Sequence, residues 1–164
     1  MNTSVALVRS DFTVDTLDSA LSQFLTFKLR MDTYAIPLGH VREIIQYRDV
    51  TVVPMMPSCV RGVINLRGNV IPVVDLEVRF GHKSREPGQR SVILILEMRV
   101  EDEYHIYGVV VDAVSDVMAL SADDIRPTPS FGNGLHNEFI LGVAKPNGVV
   151  MLILAVPKIL LFDK

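Results

Sequence analysis

Short apolar segments, most of them rich in valine and isoleucine, recur along this chain at intervals of about ten residues. The 164 residues hold 24 Val and 12 Ile against 11 aromatics and no Trp. β-Branched side chains suit a pleated surface and lose rotamer freedom in a helix, so such a chain is built mostly of strands. The strands expected are Ser22 to Arg30, Tyr34–Ile36, Val41–Gln46, Thr51–Val53, Gly62–Leu66 and Val70–Asp75. In the second half they are Ser91–Met98, Tyr104–Val111, Ala113–Leu120, Glu138–Ala144 and Val149–Ala155. Regular short strands broken by Gly, Pro and Asn point to a sandwich or barrels rather than to helices on a parallel sheet. Residues 1–20 show no clear period and read as a loose lead or a short helix. Pro157 to Phe162 reads as a short closing helix with Pro at a first helical position.

Two turn signals and a repeat organise these strands. Lys145-Pro146-Asn147-Gly148 and Leu66-Arg67-Gly68-Asn69 each separate two apolar runs, and Asn-Gly is the strongest short hairpin signal. Laid over itself without gaps at an offset of 80, the stretch from Cys59 meets the stretch from Phe139 with Gly62 on Gly142, Val63 on Val143, Gly68 on Gly148 and Val70 on Val150. At an offset of 73, Tyr34 meets Tyr107 and Val41 meets Val114. Matching turn glycines within a matching apolar pattern favour an internal duplication. The polar loop Gly81 to Arg90 is the natural boundary, giving sub-barrels around 22–82 and 90–164 within one domain over 21–164, with strand exchange between them left open. A crevice between two such halves is a natural binding surface.

Charge and motifs exclude more than they assign. Lys plus Arg is 16 and Asp plus Glu 19, a formal charge of −3 that is wrong for gripping a phosphate backbone. The longest purely apolar run, Val149 to Val156, is far too short to span a bilayer. Arg9 and Asp11 interrupt the place where a secretory signal needs an apolar stretch, so a cytoplasmic protein is expected. His40, His82, His105 and His136 have no metal-ligand spacing and read as surface or loop residues; no metal or cofactor is implied. Cys59 has one basic neighbour, Arg61, and reads as a buried, inert thiol. Asp112, Asp116, Asp123 and Asp124 fall at turns and strand ends, with Ser121 placed to cap one helical turn. No phosphate-cradling glycine loop, calcium loop or nucleophile elbow is present, so no reaction is proposed.

Two charges stand out against this background. Arg67 lies at a hairpin tip flanked by Val, Ile, Leu and Pro, where it is either a solvated turn residue or an exposed guanidinium beside apolar surface, a common binding hot spot. Glu43 sits among the apolar residues of Val41-Arg42-Glu43-Ile44-Ile45, where ordinary strand alternation also accounts for it.

Several segments together resemble the CheW-type chemotaxis coupling proteins. They are Tyr34 to Leu38, Val41 to Ile45, Thr51 to Pro54, the long run RGVINLRGNVIPVVDLEVRFG from Arg61 to Gly81, Tyr107 to Val117 and Ile125 to Pro129, in the family's order. The resemblance runs from about Gln23 to Phe162. It implies a mainly β fold of two five-stranded SH3- or OB-like β-barrels related by duplication, with a short C-terminal helix. It also implies a non-enzymatic adaptor that bridges the helical hairpin tips of methyl-accepting chemoreceptors to the CheW-like regulatory domain of the histidine kinase CheA. Other CheW-like domains are further expected partners, and nucleic acid and direct membrane insertion are not. Arg67 and Gly68 match the family's NLRG turn, and Val41, Glu43 and Ile44 its V-x-E-I segment. Gly62, Val63 and Asn65 match the strand before that turn, and Gly108, Val114 and Val117 match positions associated with kinase contact. Ala155 stands where the family often has Asp, and Cys59 where it often has an aromatic. A coupling protein of a non-flagellar system, such as twitching motility, is an alternative reading. An OB-like nucleic-acid module is another, opposed by the acidic charge and the lack of Trp.

Overall fold

The computed structural model describes residues 21–127 and 137–160. Among the described residues, ten strands form two five-stranded sheets. Sheet I contains β1 (Ser22–Leu29), β2 (Asp32–Pro37), β8 (Ala113–Leu120), β9 (Ile140–Ala144) and β10 (Met151–Leu154), in the order β8-β1-β2-β10-β9. Sheet II contains β3 (Val41–Gln46), β4 (Val60–Leu66), β5 (Asn69–Asp75), β6 (Val92–Val100) and β7 (Glu103–Val111), in the order β3-β6-β7-β5-β4. All pairings are antiparallel except β2 with β10 and β5 with β7.

The two sheets are the same construction used twice. β3 corresponds to β8, β6 to β1, β7 to β2, β5 to β10 and β4 to β9, and the parallel pair falls at the same place in each. The register agrees with the sequence offsets: Val73 faces Gly108 in sheet II, and Ile153 faces Ala35 in sheet I. Beyond the edge strand, the chain returns in both sheets to bridge the opposite edge, Thr51 to Val63 and Arg126 to Val143. Gly62 and Gly142 make this return possible. A Cβ on Gly62 would lie 2.2 Å from the Thr51 carbonyl oxygen, and one on Gly142 would lie 2.5 Å from the Ile125 side chain.

A division at the loop 81–90 does not describe the sheets, because each half of the chain donates a hairpin to the other: β1–β2 lie in sheet I with β8–β10, and β6–β7 in sheet II with β3–β5. The loop itself is tied down. Ser84 Oγ donates to Asp75 at 2.8 Å, and Arg85 reaches Glu77 at 2.9 Å and Asp112 at 2.7 Å.

Three cores follow from strand alternation. On β6, Ile93 and Ile95 point into a core within sheet II, while Leu94 and Leu96 point to the core between the sheets. On β1, Phe24 belongs to the small core within sheet I, and Leu25, Phe27 and Leu29 to the shared one. A strand apolar on both faces has to be covered on both, which the two-sheet packing achieves.

Local corrections are few. Thr51–Val53 is not a strand; Thr51 makes one bridge. Glu138 and Phe139 belong to a 3-10 turn, Asn137–Phe139, ahead of β9. A short helix, α1 (Leu76–Arg79), follows β5, with the Asp75 carboxylate accepting from the Val78 N–H. The closing helix is α2 (Val156–Leu160), so its expected end at Phe162 falls outside the described residues, as do the lead 1–20 and His136. α1 and α2 occupy equivalent places after β5 and β10, and Arg79 of the first donates to the carbonyls of Lys158 and Ile159 at the end of the second.

Candidate functional site

The β4–β5 hairpin turns on two residues, with Leu66 facing Asn69 across it. Arg67 and Gly68 have φ of 52° and 87°, the left-handed pair whose twist matches the flanking strands. Asn65 fixes the turn, its side-chain oxygen accepting the Gly68 N–H at 3.0 Å. The Asn65 carbonyl accepts from Arg48 at 2.6 Å, which ties the hairpin to the segment following β3.

From this tip the Arg67 guanidinium pairs with the Glu43 carboxylate on β3. β3 and β4 are the two edges of sheet II, so the ion pair ties the β4–β5 turn to the far edge, and the Thr51–Val63 bridge ties the segment that leaves β3 to β4. The same elements carry exposed apolar side chains: Ile44 on β3, on the face opposite Glu43, Val52 and Met55 on the returning segment, and Val70 on β5. A solvent-exposed ion pair adds little stability, at most about 1 kcal/mol. What the turn provides is an oriented charge pair at the surface, and arginine is a residue type enriched at binding interfaces.

The sequence-derived residues separate into three groups. Arg67, Glu43, Ile44, Asn65, Gly68 and the half-buried Val63 share the edges of sheet II. Val41, Gly62 and Gly108 are buried. Val41 packs in the shared core, and Gly62 admits Thr51. A Cβ on Gly108 would lie 2.8 Å from Ile93 Cγ2, so that glycine serves the packing of sheet II. Val114 and Val117 are on β8 of the other sheet, where Val117 is exposed and Val114 lines a groove of about 810 Å³ with Tyr47 and residues 86–92.

Sequence reasoning missed two features. One is the surface contributed by Val52, where the chain crosses β4, and by Met55 three residues on. The other is the acidic pair Asp75 and Glu77, almost fully buried and met by Arg61 at 3.1 Å and Arg30 at 3.0 Å. Asp75 could have been found as the N-cap of a helix in Asp75-Leu76-Glu77-Val78. The arginines that meet these acids carry no local signal. His40 corrects the expectation of a surface residue: it is buried, with Nδ1 3.0 Å from the Glu97 carbonyl, and burial holds its pKa below the usual 6.5. Cys59 is buried in the shared core, and desolvation raises its thiol pKa. Among the described residues no group of three His, Cys, Asp or Glu could hold a metal ion, and no helix is long and apolar enough to cross a membrane.

Comparison with known proteins decides the family. A profile of the CheW-like domain matches residues 23–162. The chain belongs to the CheW-like domain family. Curated relatives of this CheW-like chain include the chemotaxis protein CheW of Klebsiella aerogenes, 33% identical over 84% of this chain and 81% of that protein. The chemotaxis protein CheW of Rhizobium meliloti is 36% identical over 77% of this chain and 79% of that protein. Protein FrzA of Myxococcus xanthus is 32% identical over 77% and 76%. The crystal structure of the scaffolding protein TtCheW from Thermoanaerobacter tengcongensis superposes with a TM-score of 0.76, at 28% identity over 87% of this chain and 89% of that one. The CheW-like chain is accordingly a chemotaxis adaptor of a scaffolding family, and its two five-stranded sheets fit that fold.

Proposed function

We propose that this chain couples the cytoplasmic hairpin tips of methyl-accepting chemoreceptors to the CheW-like regulatory domain of the histidine kinase CheA, and works without catalysis. One observation carries the reading: the exposed Arg67 guanidinium, on a two-residue turn fixed by Asn65, pairs with the half-buried Glu43, on a sheet whose strands β3 and β5 also carry the exposed apolar side chains Ile44 and Val70. A surface of this kind binds rather than reacts. The buried Cys59, with its raised pKa, supports the same conclusion. The second contact surface is the β8 edge of sheet I, where Val117 is exposed, so that the two partners meet different sheets. The chain then gathers at membrane-associated receptor arrays through its partners, with no membrane insertion of its own.

Arg67→Glu tests the assignment. It places two carboxylates side by side at the edge of sheet II while leaving the cores untouched. In a pull-down with receptor cytoplasmic fragments and the kinase, the variant should lose coupling while its circular dichroism and unfolding midpoint stay near wild type. Wild-type retention of both partners by the variant overturns the role of Arg67.

A further inference from the structure

Sheet I is assembled from two distant stretches of chain. Hairpin β1–β2 fills a slot between β8 and β10, antiparallel to the first and parallel to the second. Hairpin β6–β7 fills the equivalent slot between β3 and β5 of sheet II. Each sheet is therefore three strands of one half of the chain completed by a hairpin from the other half. The slot recognises a backbone ladder and an alternation of side chains; it does not depend on which covalent path delivers the hairpin.

β1–β2 leads into β3 through one short turn, Leu38–His40. The turn is closed by the Val41 N–H donating to the Leu38 carbonyl, and it is held by the contact of His40 with Glu97. We propose that this chain exchanges hairpin β1–β2 with a second copy of itself, so that each molecule completes sheet I of the other, with Leu38–His40 as the hinge. The same hairpin arriving from a second molecule meets the same register, Gln23 to Ala119, Leu25 to Val117 and Ala35 to Ile153. Phe24, Phe27, Tyr34 and Ile36 return to the same cores. Exchange thus changes only the path of the hinge and the cost of association. A short turn between packed elements is the setting in which opening into a second molecule competes with closing on the same one.

The hairpin supplies a large share of two cores, so it does not leave the folded protein readily. Exchange is expected when the chain refolds in concentrated solution, and the product then persists behind the unfolding barrier. The inference is independent of the partner assignment above. Its structural consequence is a dimer that presents the Arg67 hairpin twice.

Gln23 and Ala119 are both exposed and face each other on β1 and β8. The test uses the full chain carrying Gln23→Cys and Ala119→Cys, refolded under reducing conditions at low micromolar and at near-millimolar concentration and oxidised only after folding. Cys59 is then protected in the core. Dilute refolding should give monomers with an intrachain disulfide. Concentrated refolding should give a dimer by light scattering whose chains remain joined on a non-reducing gel. Wild type refolded in parallel should show the same dimer, and a three-residue Gly/Ser insertion after Gly39 should return it to monomer. Only monomer from wild type at near-millimolar concentration overturns the inference. So does a dimer whose disulfides are all intrachain, because that dimer is joined by surface contact alone.

Discussion

The β4–β5 and β9–β10 hairpins have the same backbone and different chemistry. Both turn on a two-residue left-handed pair, Arg67-Gly68 in one and Asn147-Gly148 in the other, with φ of 52° and 53° at the first position. Both carry an exposed valine just after the turn, Val70 and Val150. Both follow a strand whose glycine lets a returning segment cross, Thr51 over Gly62 and Arg126 over Gly142. Only the first tip carries a charge, and only that charge finds a partner on the opposite edge, Glu43. Left-handed backbone costs a residue with a Cβ about 1 kcal/mol, and Asn offsets part of this by local hydrogen bonding of its short polar side chain, which Arg does not. The Arg67 tip is therefore the less stable of two copies of one turn. Duplication supplied the scaffold twice, and the copy that departs from the best turn residue is the one with an oriented charge on its surface.

The largest effect should come from breaking the crossing that both hairpins share. Gly62→Val drives a side chain into the Thr51 carbonyl, 2.2 Å from the new Cβ, and should cost about 3 kcal/mol or more by urea unfolding. Gly142→Val meets the Ile125 side chain first and the Arg126 carbonyl at 2.9 Å, so it should cost measurably less because a side chain yields more easily than backbone. Equal losses would mean that the two crossings are not built to different tolerances.

Making the tips alike separates function from stability. Arg67→Asn should raise stability by roughly 0.5 to 1 kcal/mol, since it relieves the left-handed Arg. It should weaken partner binding by about 2 kcal/mol or more, the scale of an interface anchor, read by calorimetric titration. A variant that is stabler and binds as well as wild type would remove Arg67 from the interface.

The two crossovers between sheets differ in the same manner as the two tips. The first holds the buried His40, and the second holds Asp112, which accepts from the Arg30 N–H and from Arg85. Burial lowers the pKa of His40 in the fold, whereas in the unfolded chain it protonates near its ordinary 6.5. The groups facing it are the Glu97 carbonyl and, through charge, the Glu97 carboxylate, which pairs with Arg42. Its contribution to stability is complete above about pH 6.5 and declines as pH falls toward the lowered folded value. His40→Gln should remove that part of the decline in urea midpoints measured from pH 7.5 to 5. An unchanged slope would place the acid sensitivity elsewhere.

The smallest effect belongs to Glu43→Gln. Loss of one exposed pair should move stability by less than about 0.5 kcal/mol. The visible change should instead be in the salt dependence of partner binding, because Arg67 then keeps a free guanidinium.

Much of this organisation is legible in the residues. β3 was expected over Val41–Gln46 and observed there, because its residues alternate cleanly between turn signals. The Gly62–Gly142 and Gly68–Gly148 matches are now explained by one crossing and one turn used twice. Glu43 and Arg67 were each singled out as a charge among apolar neighbours, but nothing local joins them, because they lie on opposite edges of a sheet closed by contacts distant in sequence. The same distance hid the acids Asp75 and Glu77, whose arginine partners come from a strand, a turn and a polar loop.

By itself, then, the sequence determined the strand content, the two hairpin turns, the duplication and the resemblance to a family of adaptors. These depend on residue type and spacing over a few positions, where propensity and alternation act directly. The tertiary structure alone decided which strands share a sheet. It drew one hairpin out of each half, buried Val41, Gly62 and Gly108, and left Arg67 and Val117 exposed on different sheets. Both halves carry the same alternation, so local pattern cannot distinguish pairing within a half from exchange between halves. Burial of the shared core, summed over both sheets, makes that choice.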